Sequence, residues 1–340
     1  MQQIVGLDIH KKHINAVVID PNGNEITRQK IPNDNTKLDK FLLTVPKDSK
    51  IALESCSCWY YVYDYLHDQN YTDISLANPM KVRLIAETKQ KTDFKDALNL
   101  AQLLRVNLLP TSYAAPNDIR EQRNIVRHRQ RLGKLKAHIK HMIQAILTRH
   151  GIVYEFSDVF GEQGTNYLRS IDLPANERYE MDQMLELIRH LEVQIKKTEE
   201  IIEDYVRNNP MVRVIMTVPG ISYYSGLMIT AEIGDIRRFK SAKQLVSYAG
   251  LNPSVSQSGD KCYTGHISKQ GDKHLRWILN QCANVAVMHD KTLAKIYQRI
   301  KKRRGHNIAI TATARKMLIF IHAMLINNIP YQALQIHKAS

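Results

Sequence analysis

The chain opens with short apolar runs cut by charge. Residues 3–9 (Gln-Ile-Val-Gly-Leu-Asp-Ile) and 13–20 (His-Ile-Asn-Ala-Val-Val-Ile-Asp) each have the length and composition of a strand. Pro21-Asn22-Gly23-Asn24 is turn chemistry, and residues 25–31 alternate again, so the opening predicts an antiparallel meander. Residues 50–55 and 71–77 predict two more strands around a helix near 59–68, and residues 80–108 read as helical up to Pro110. Three antiparallel strands followed by strand–helix–strand make a mixed sheet, an α/β region over residues 1–115.

Beyond residue 116 the apolar period changes. Ile125, His128, Leu132, Leu135, Ile139, Met142 and Ile146 step by three and four, as in a coiled-coil seam. A second series follows at Met181, Met184, Ile188, Leu191, Ile195, Thr198, Ile202 and Tyr205. Residues 116–207 are therefore expected to be a helical, coiled-coil region whose long helices pair with each other or with a second chain. Residues 208–340 predict a mostly helical region. It is interrupted by Val218-Pro219-Gly220-Ile221-Ser222 and by a Gly-rich polar segment over 250–272.

Charge sharpens this outline. The 340 residues carry 48 Lys and Arg against 33 Asp and Glu, a formal +15, which points to a polyanionic partner. Lys or Arg occupies 120, 123, 127, 129, 131, 134, 136, 140 and 149, against the single acid Glu121. Such a flank repels itself unless an anion lies alongside, which makes Arg120, Arg123, Arg127, Arg129, Arg131 and Lys134 candidate nucleic-acid contacts. The run Lys301, Lys302, Arg303 and Arg304 is a second candidate. A membrane span is not expected, because the most apolar stretch, residues 317–326, is about half the roughly twenty residues required. With no export signal at the N-terminus and four cysteines spaced for neither a disulfide scaffold nor a zinc module, a cytoplasmic chain with reduced thiols is expected.

Four acids stand out. Gly6 and Asp8 share one face of the first strand, and an aspartate in that apolar run is costly unless it meets a cation or a donor. Glu54 ends the strand Ile51-Ala52-Leu53-Glu54, and Asp93 and Asp96 share a face at the start of a helix. Brought together, such carboxylates hold two Mg²⁺ ions about 4 Å apart, which clamp the attacking and leaving oxygens of a phosphodiester. The alternative is a set of separate caps and exposed faces. Val218-Pro219-Gly220-Ile221-Ser222 resembles a helix-hairpin-helix, whose turn offers backbone N–H groups at Gly220 and Ser222 to a DNA phosphate, or else is a plain Pro-Gly connection. In the Gly-rich segment, glycines at 259, 265 and 271 suggest turns that carry Ser258, Lys269 and Arg276 toward one site. Spacing does not separate a nucleophilic serine from a structural one there.

Gly6-Leu-Asp8-Ile-His-Lys11, Ala52-Leu53-Glu54, Lys91-Thr92-Asp93-Phe-Lys-Asp96-Ala97 and Gly250…Gln257-Ser258-Gly259…Lys269-Gln-Gly271 resemble, in order and over most of the chain, the IS110/IS1111 family of insertion-sequence transposases. The resemblance implies an N-terminal RuvC-like (RNase H-like) domain over 1–115, a coiled-coil middle over 116–207, and a C-terminal transposase domain over 208–340. It implies Asp8, Glu54, Asp93 and Asp96 as the metal-binding DEDD acids, with Mg²⁺ or Mn²⁺, and Ser258 as a nucleophile that joins DNA through a phosphoserine link. Expected partners are the element's DNA ends and target, a structured bridge RNA that guides them, and further copies of the chain as a homodimer or homotetramer. The setting implied is a bacterial or archaeal cytoplasm, close to the nucleoid. The alternative reading is a RuvC-type endonuclease that hydrolyses with water. An actin-like sugar kinase fits less well, since Ile9-His10-Lys11 stands where a Gly-rich phosphate turn would be, and a non-catalytic scaffold would not need the four acids.

Overall fold

The computed structural model describes residues 2–86, 93–258 and 261–336. The chain falls into two compact units, residues 1–114 and 115–340. The middle and C-terminal regions distinguished in the sequence thus share the second unit.

The first unit runs β1 (Ile4–Ile9), β2 (His13–Ile19), β3 (Glu25–Pro32), α1 (Asn35–Leu42), β4 (Lys50–Glu54), α2 (Trp59–Asp68), β5 (Ile74–Ala77), α3 (Pro79–Ala86) and α4 (Asp93–Arg105). Its sheet has the order β3-β2-β1-β4-β5. The first three strands are antiparallel, while β1, β4 and β5 run parallel. This is the mixed sheet that the apolar pattern predicted. Parallel pairing requires crossover connections, and α1 and α2 supply them. The sequence reading missed α1, a short helix opened by Asp34, whose carboxylate accepts from Lys37 N–H.

Strand alternation divides the buried residues between two faces. Val5, Leu7, Ile9, Ile14, Ala16 and Val18 pack with Leu38, Phe41, Val62 and Leu66 of α1 and α2. Ile4, Val17, Ile19, Ala52 and Ala77 pack instead with Ala97, Leu100, Ala101 and Leu104 of α4. The crossing of α4 over β1 is close because residue 6 has no side chain: a Cβ there would stand 1.9 Å from the carbonyl oxygen of Ala97.

The second unit is helical apart from one hairpin. It comprises α5 (Asn117–Arg149), α6 (Glu162–Ser170), α7 (Ala175–Arg207), α8 (Pro210–Met216), α9 (Tyr223–Ile233), α10 (Ala242–Tyr248), β6 (Pro253–Ser258), β7 (Lys261–Ile267), α11 (Lys273–His289), α12 (Lys291–Arg304), α13 (His306–Asn327) and α14 (Tyr331–Ile336). The 33-residue helices α5 and α7 lie antiparallel, joined by Arg129–Glu199, Lys136–Glu192 and Arg149–Glu177 pairs. On α7 the predicted seam is largely the buried one: Met181, Met184, Ile188, Ile195, Thr198 and Ile202 are inside.

On α5 the predicted seam is displaced. Its buried residues are Arg120, Arg123, Val126, Gln130, Leu132, Ile143, Ile146 and Leu147, whereas Leu135 and Met142 are exposed. The reason is that α5 packs on α9 as well as α7, and the face it turns toward α9 is polar. The Gly-rich segment also differs from the turns expected of it, since it folds as the antiparallel β6–β7 hairpin. Finally, α13 extends to 22 residues, well beyond the ten-residue apolar stretch of the sequence. It is the one helix among the described residues long and apolar enough to cross a membrane, and half of that window is buried within the unit.

Candidate functional site

The carboxylates are positioned by the sheet and by α4. Gly6 lies opposite Ala52 and Leu7 opposite Leu53 in the parallel β1–β4 ladder, so one residue past the last pair Asp8, next to last in β1, comes alongside Glu54, the last residue of β4. Ala52 is on the α4 face, and alternation puts Glu54 and Asp8 on that same face. Asp93 begins α4 and Asp96 follows one turn later, just before the Ala97 carbonyl that abuts Gly6. The side chain of Asp93 lies outside what the structure describes, as do Lys91 and Thr92 of the same motif.

Asp8 is 6% exposed, unusually deep for a carboxylate. Burial raises its pKa above the ordinary range. His10, which places its Nε2 2.9 Å from Asp8 Oδ2, and the Asn15 amide oppose that shift, while the like charge of Asp96 adds to it. Asn15 faces Asp8 across the β1–β2 ladder. It is 1% exposed, and neither of its amide atoms has a hydrogen bond of acceptable geometry. Among the described residues no three His, Cys, Asp or Glu side chains already converge at ligating distance. The chemistry of the set nevertheless fits a hard divalent cation: a buried carboxylate, a second acid near enough to repel it, a third at the adjacent strand end, and an amide with unmet hydrogen-bonding capacity.

In the second unit Ser258 closes β6, in register with Lys261 of β7; its side chain lies outside the described parts. Ser254, by contrast, spends its hydroxyl on the carbonyl of His266, 3.0 Å away. The root of the hairpin is anchored. Arg276 donates to the Ala249 carbonyl at 2.8 Å, and Asp272 caps α11 by accepting from the N–H groups of His274 and Leu275. Arg276, expected to approach a shared site, is therefore used at the base of the hairpin, while Lys269 is exposed.

The arginine-rich flank of α5 needs a correction. Arg120 and Arg123 are buried, and Arg123 donates to the carbonyls of Ala231 and Glu232 at 2.7 and 3.1 Å. Arg127 grips the fully buried carboxylate of Glu232 through two bonds of 2.7 and 2.6 Å. Burial raises the pKa of Glu232, with Arg127 opposing. Arg129 pairs with Glu199 and stacks over Tyr224. These guanidinium groups answer acids on α7 and α9 that a tally along α5 does not contain. Arg131 and Lys134 are exposed, as are Lys301, Lys302, Arg303 and Arg304 at the end of α12.

The Val-Pro-Gly-Ile-Ser segment joins α8 to α9. Gly220 has φ +88°, and a Cβ on it would stand 2.6 Å from the Cys282 carbonyl, so the turn is pressed against α11. Ser222 and Ser225 form a reciprocal cap that occupies both their N–H groups. Here too the amide expected at a phosphate is already engaged at Ser222.

Residues 5–152 match a family model of IS110 DEDD transposases, described as transposase, and residues 212–298 match the transposase IS116/IS110/IS902 family. The chain is similar to the transposase for insertion sequence element IS1328 of Yersinia enterocolitica, 22% identical over 92% of this chain and 94% of that protein. A probable family 20 transposase of Pseudomonas aeruginosa is 24% identical, covering 94% and 96%. The transposase for insertion sequence element IS1111A of Coxiella burnetii is 24% identical, covering 97% and 91%.

Proposed function

The chain belongs to the IS110/IS1111 family of insertion-sequence transposases, and we propose that it is a site-specific DNA recombinase that cuts and rejoins the ends of such an element. The observation that carries the chemistry is the burial of Asp8 near the end of β1, one residue past the Leu7–Leu53 pair that leads to Glu54, and within repulsive range of Asp96. The 3-2-1-4-5 sheet beneath it, antiparallel then parallel, supports the RuvC-like reading.

Asp8, Glu54, Asp93 and Asp96 would hold Mg²⁺, two ions in the full site, with Mn²⁺ as a substitute. When bound, the ions supply charge stabilisation at the phosphate and at the leaving oxygen. Ser258 Oγ forms a new ester bond to phosphorus as the bridging sugar oxygen departs with the electron pair of the broken P–O bond and takes up a proton. The hydroxyl proton of the serine passes to solvent. The phosphoserine link conserves the ester for rejoining.

A structured bridge RNA would choose the DNA partners by base pairing. Arg131, Lys134, Lys269 and the basic end of α12 would hold nucleic-acid backbones, and the α5–α7 pair would serve assembly into a homodimer or homotetramer. The α8–α9 turn keeps a helix-hairpin-helix role only through groups other than those it uses internally.

The test is a covalent-adduct assay on full-length protein from cells carrying the whole element. DNA attached to the chain on a denaturing gel, lost in both Ser258→Ala and Asp8→Asn, is the expected result. Free-ended nicks that survive Ser258→Ala would replace the serine mechanism with hydrolysis by water.

A further inference from the structure

Asn15 is the polar residue in β2 for which the fold alone gives no use. Past His13 the strand reads Ile14, Ala16, Val17, Val18 and Ile19, all buried and apolar. Its one polar neighbour is Asp8, whose carboxylate it helps keep charged, but neither amide atom completes a well-formed hydrogen bond, and unmet polar capacity sealed into that surface costs on the order of 1–3 kcal/mol. Any of several apolar residues would fill the position without that cost. The side chain nevertheless has a fixed neighbour, because the β1–β2 register sets Asn15 opposite Asp8, and both lie on the face covered by α4, with Ile4, Val17 and Ile19.

We propose that Asn15 is a fifth residue of the cation site, its Oδ1 acting as an uncharged oxygen ligand for the divalent cation held by Asp8. The inference rests on reading Asp8 as a metal ligand. Hard cations combine carboxylate oxygens with amide oxygens, and a ligand shell completed by a neutral donor avoids adding a further negative charge beside Asp8 and Asp96. The geometry leaves room for this division of labour. His10 occupies Asp8 Oδ2 at 2.9 Å from the more exposed side of the site, while Asn15 lies on the buried side. A cation at Asp8 gives Asn15 Oδ1 a well-placed partner and offsets the repulsion between Asp8 and Asp96.

The experiment uses full-length wild type, Asn15→Leu, Asn15→Asp and Asp8→Asn, titrated with Mn²⁺ by calorimetry at pH 8, and thermal unfolding with and without Mn²⁺. Wild type should bind Mn²⁺ and be stabilised by it. Asn15→Leu should bind at least ten- to a hundredfold more weakly, a loss about as large as removal of an outer-shell partner produces, while a cooperative metal-free unfolding transition shows that it folds. Asn15→Asp keeps the oxygen and should bind at least as tightly as wild type, which also guards against a folding failure of the leucine variant. Wild-type affinity in Asn15→Leu overturns the assignment. Asn15→Asp binding more weakly than wild type overturns it as well, since the nitrogen would then be the group that faces the site. Equal Mn²⁺ binding by Asp8→Asn and wild type instead removes Asp8 as a ligand, a separate failure that takes the underlying reading with it.

Discussion

Gly6→Ala adds one methyl group at the crossing of β1 and α4, and its effect can be worked from the distances. The new Cβ would stand 1.9 Å from Ala97 O and 2.9 Å from Ala101 N, both backbone atoms, so no side chain can swing away. Restoring an ordinary contact of about 3.4 Å lifts α4 by roughly 1.5 Å. Overpacking usually costs about 1–3 kcal/mol, and contact with backbone places this case near 3 kcal/mol. For a unit of this size that corresponds to a fall of roughly 10 °C in melting temperature. The same lift carries Asp96 away from Asp8 and Glu54, and a displacement of about 1 Å at such a site can cost a hundredfold in activity. The assay is thermal unfolding of the full chain together with Mn²⁺ titration. Gly133→Ala is the control: it sits inside α5, its added Cβ meets only the flexible end of Arg129 at 3.2 Å, and the helix propensity of alanine favours it by up to about 1 kcal/mol. Wild-type melting and wild-type Mn²⁺ affinity in Gly6→Ala would refute the claim that this crossing sets the site.

Two further outcomes follow from the second unit. Glu232→Gln should destabilise it by about 3–5 kcal/mol, because Arg127 and Arg123 lose a buried counter-charge; adding Arg127→Met should restore part of the loss, and strictly additive costs in a double-mutant cycle would show that the pair does not act as a unit. Replacing Lys301, Lys302, Arg303 and Arg304 by glutamine should weaken nucleic-acid binding and lower the slope of log affinity against log salt by up to about 3–4; an unchanged slope would leave the end of α12 as a solvated face.

The first unit was legible because its strands are short, apolar and separated by strong turns, and because Asp8 is conspicuous in its run. Asn15 could have been found by the same reasoning. Folding residues 4–9 back on 13–19 about the charged turn places it opposite Asp8, a consequence of register that reading strands singly does not reveal. The seam of α7 was legible since α7 meets α5 along most of its length. That of α5 was not, because its inward face is partly polar: Arg123 and Arg127 answer Glu232 on α9, about a hundred positions along the chain. The same distance misled the charge tally: a helix that appears self-repelling in sequence is neutralised by neighbours that only the fold supplies. The β6–β7 hairpin was obscured by its serines and glycines, whose turn propensity outweighs the weak alternation of Pro253–Ser258.

The internal matching of Arg127 and Arg129 also alters how a polyanion would approach the molecule. A uniformly basic surface captures its partner in any orientation, and most encounters then need rotation before they become productive. Here much of the α5 charge is spent inside, whereas α12 carries Lys291, Lys295, Arg299, Lys301, Lys302, Arg303 and Arg304 in 14 residues with no acid among them. Such a concentrated source steers diffusion toward one helix and raises the association rate in proportion to its local potential. If the end of α12 holds nucleic acid as proposed, ionic strength should act first on how fast the complex forms and only later on how long it lasts.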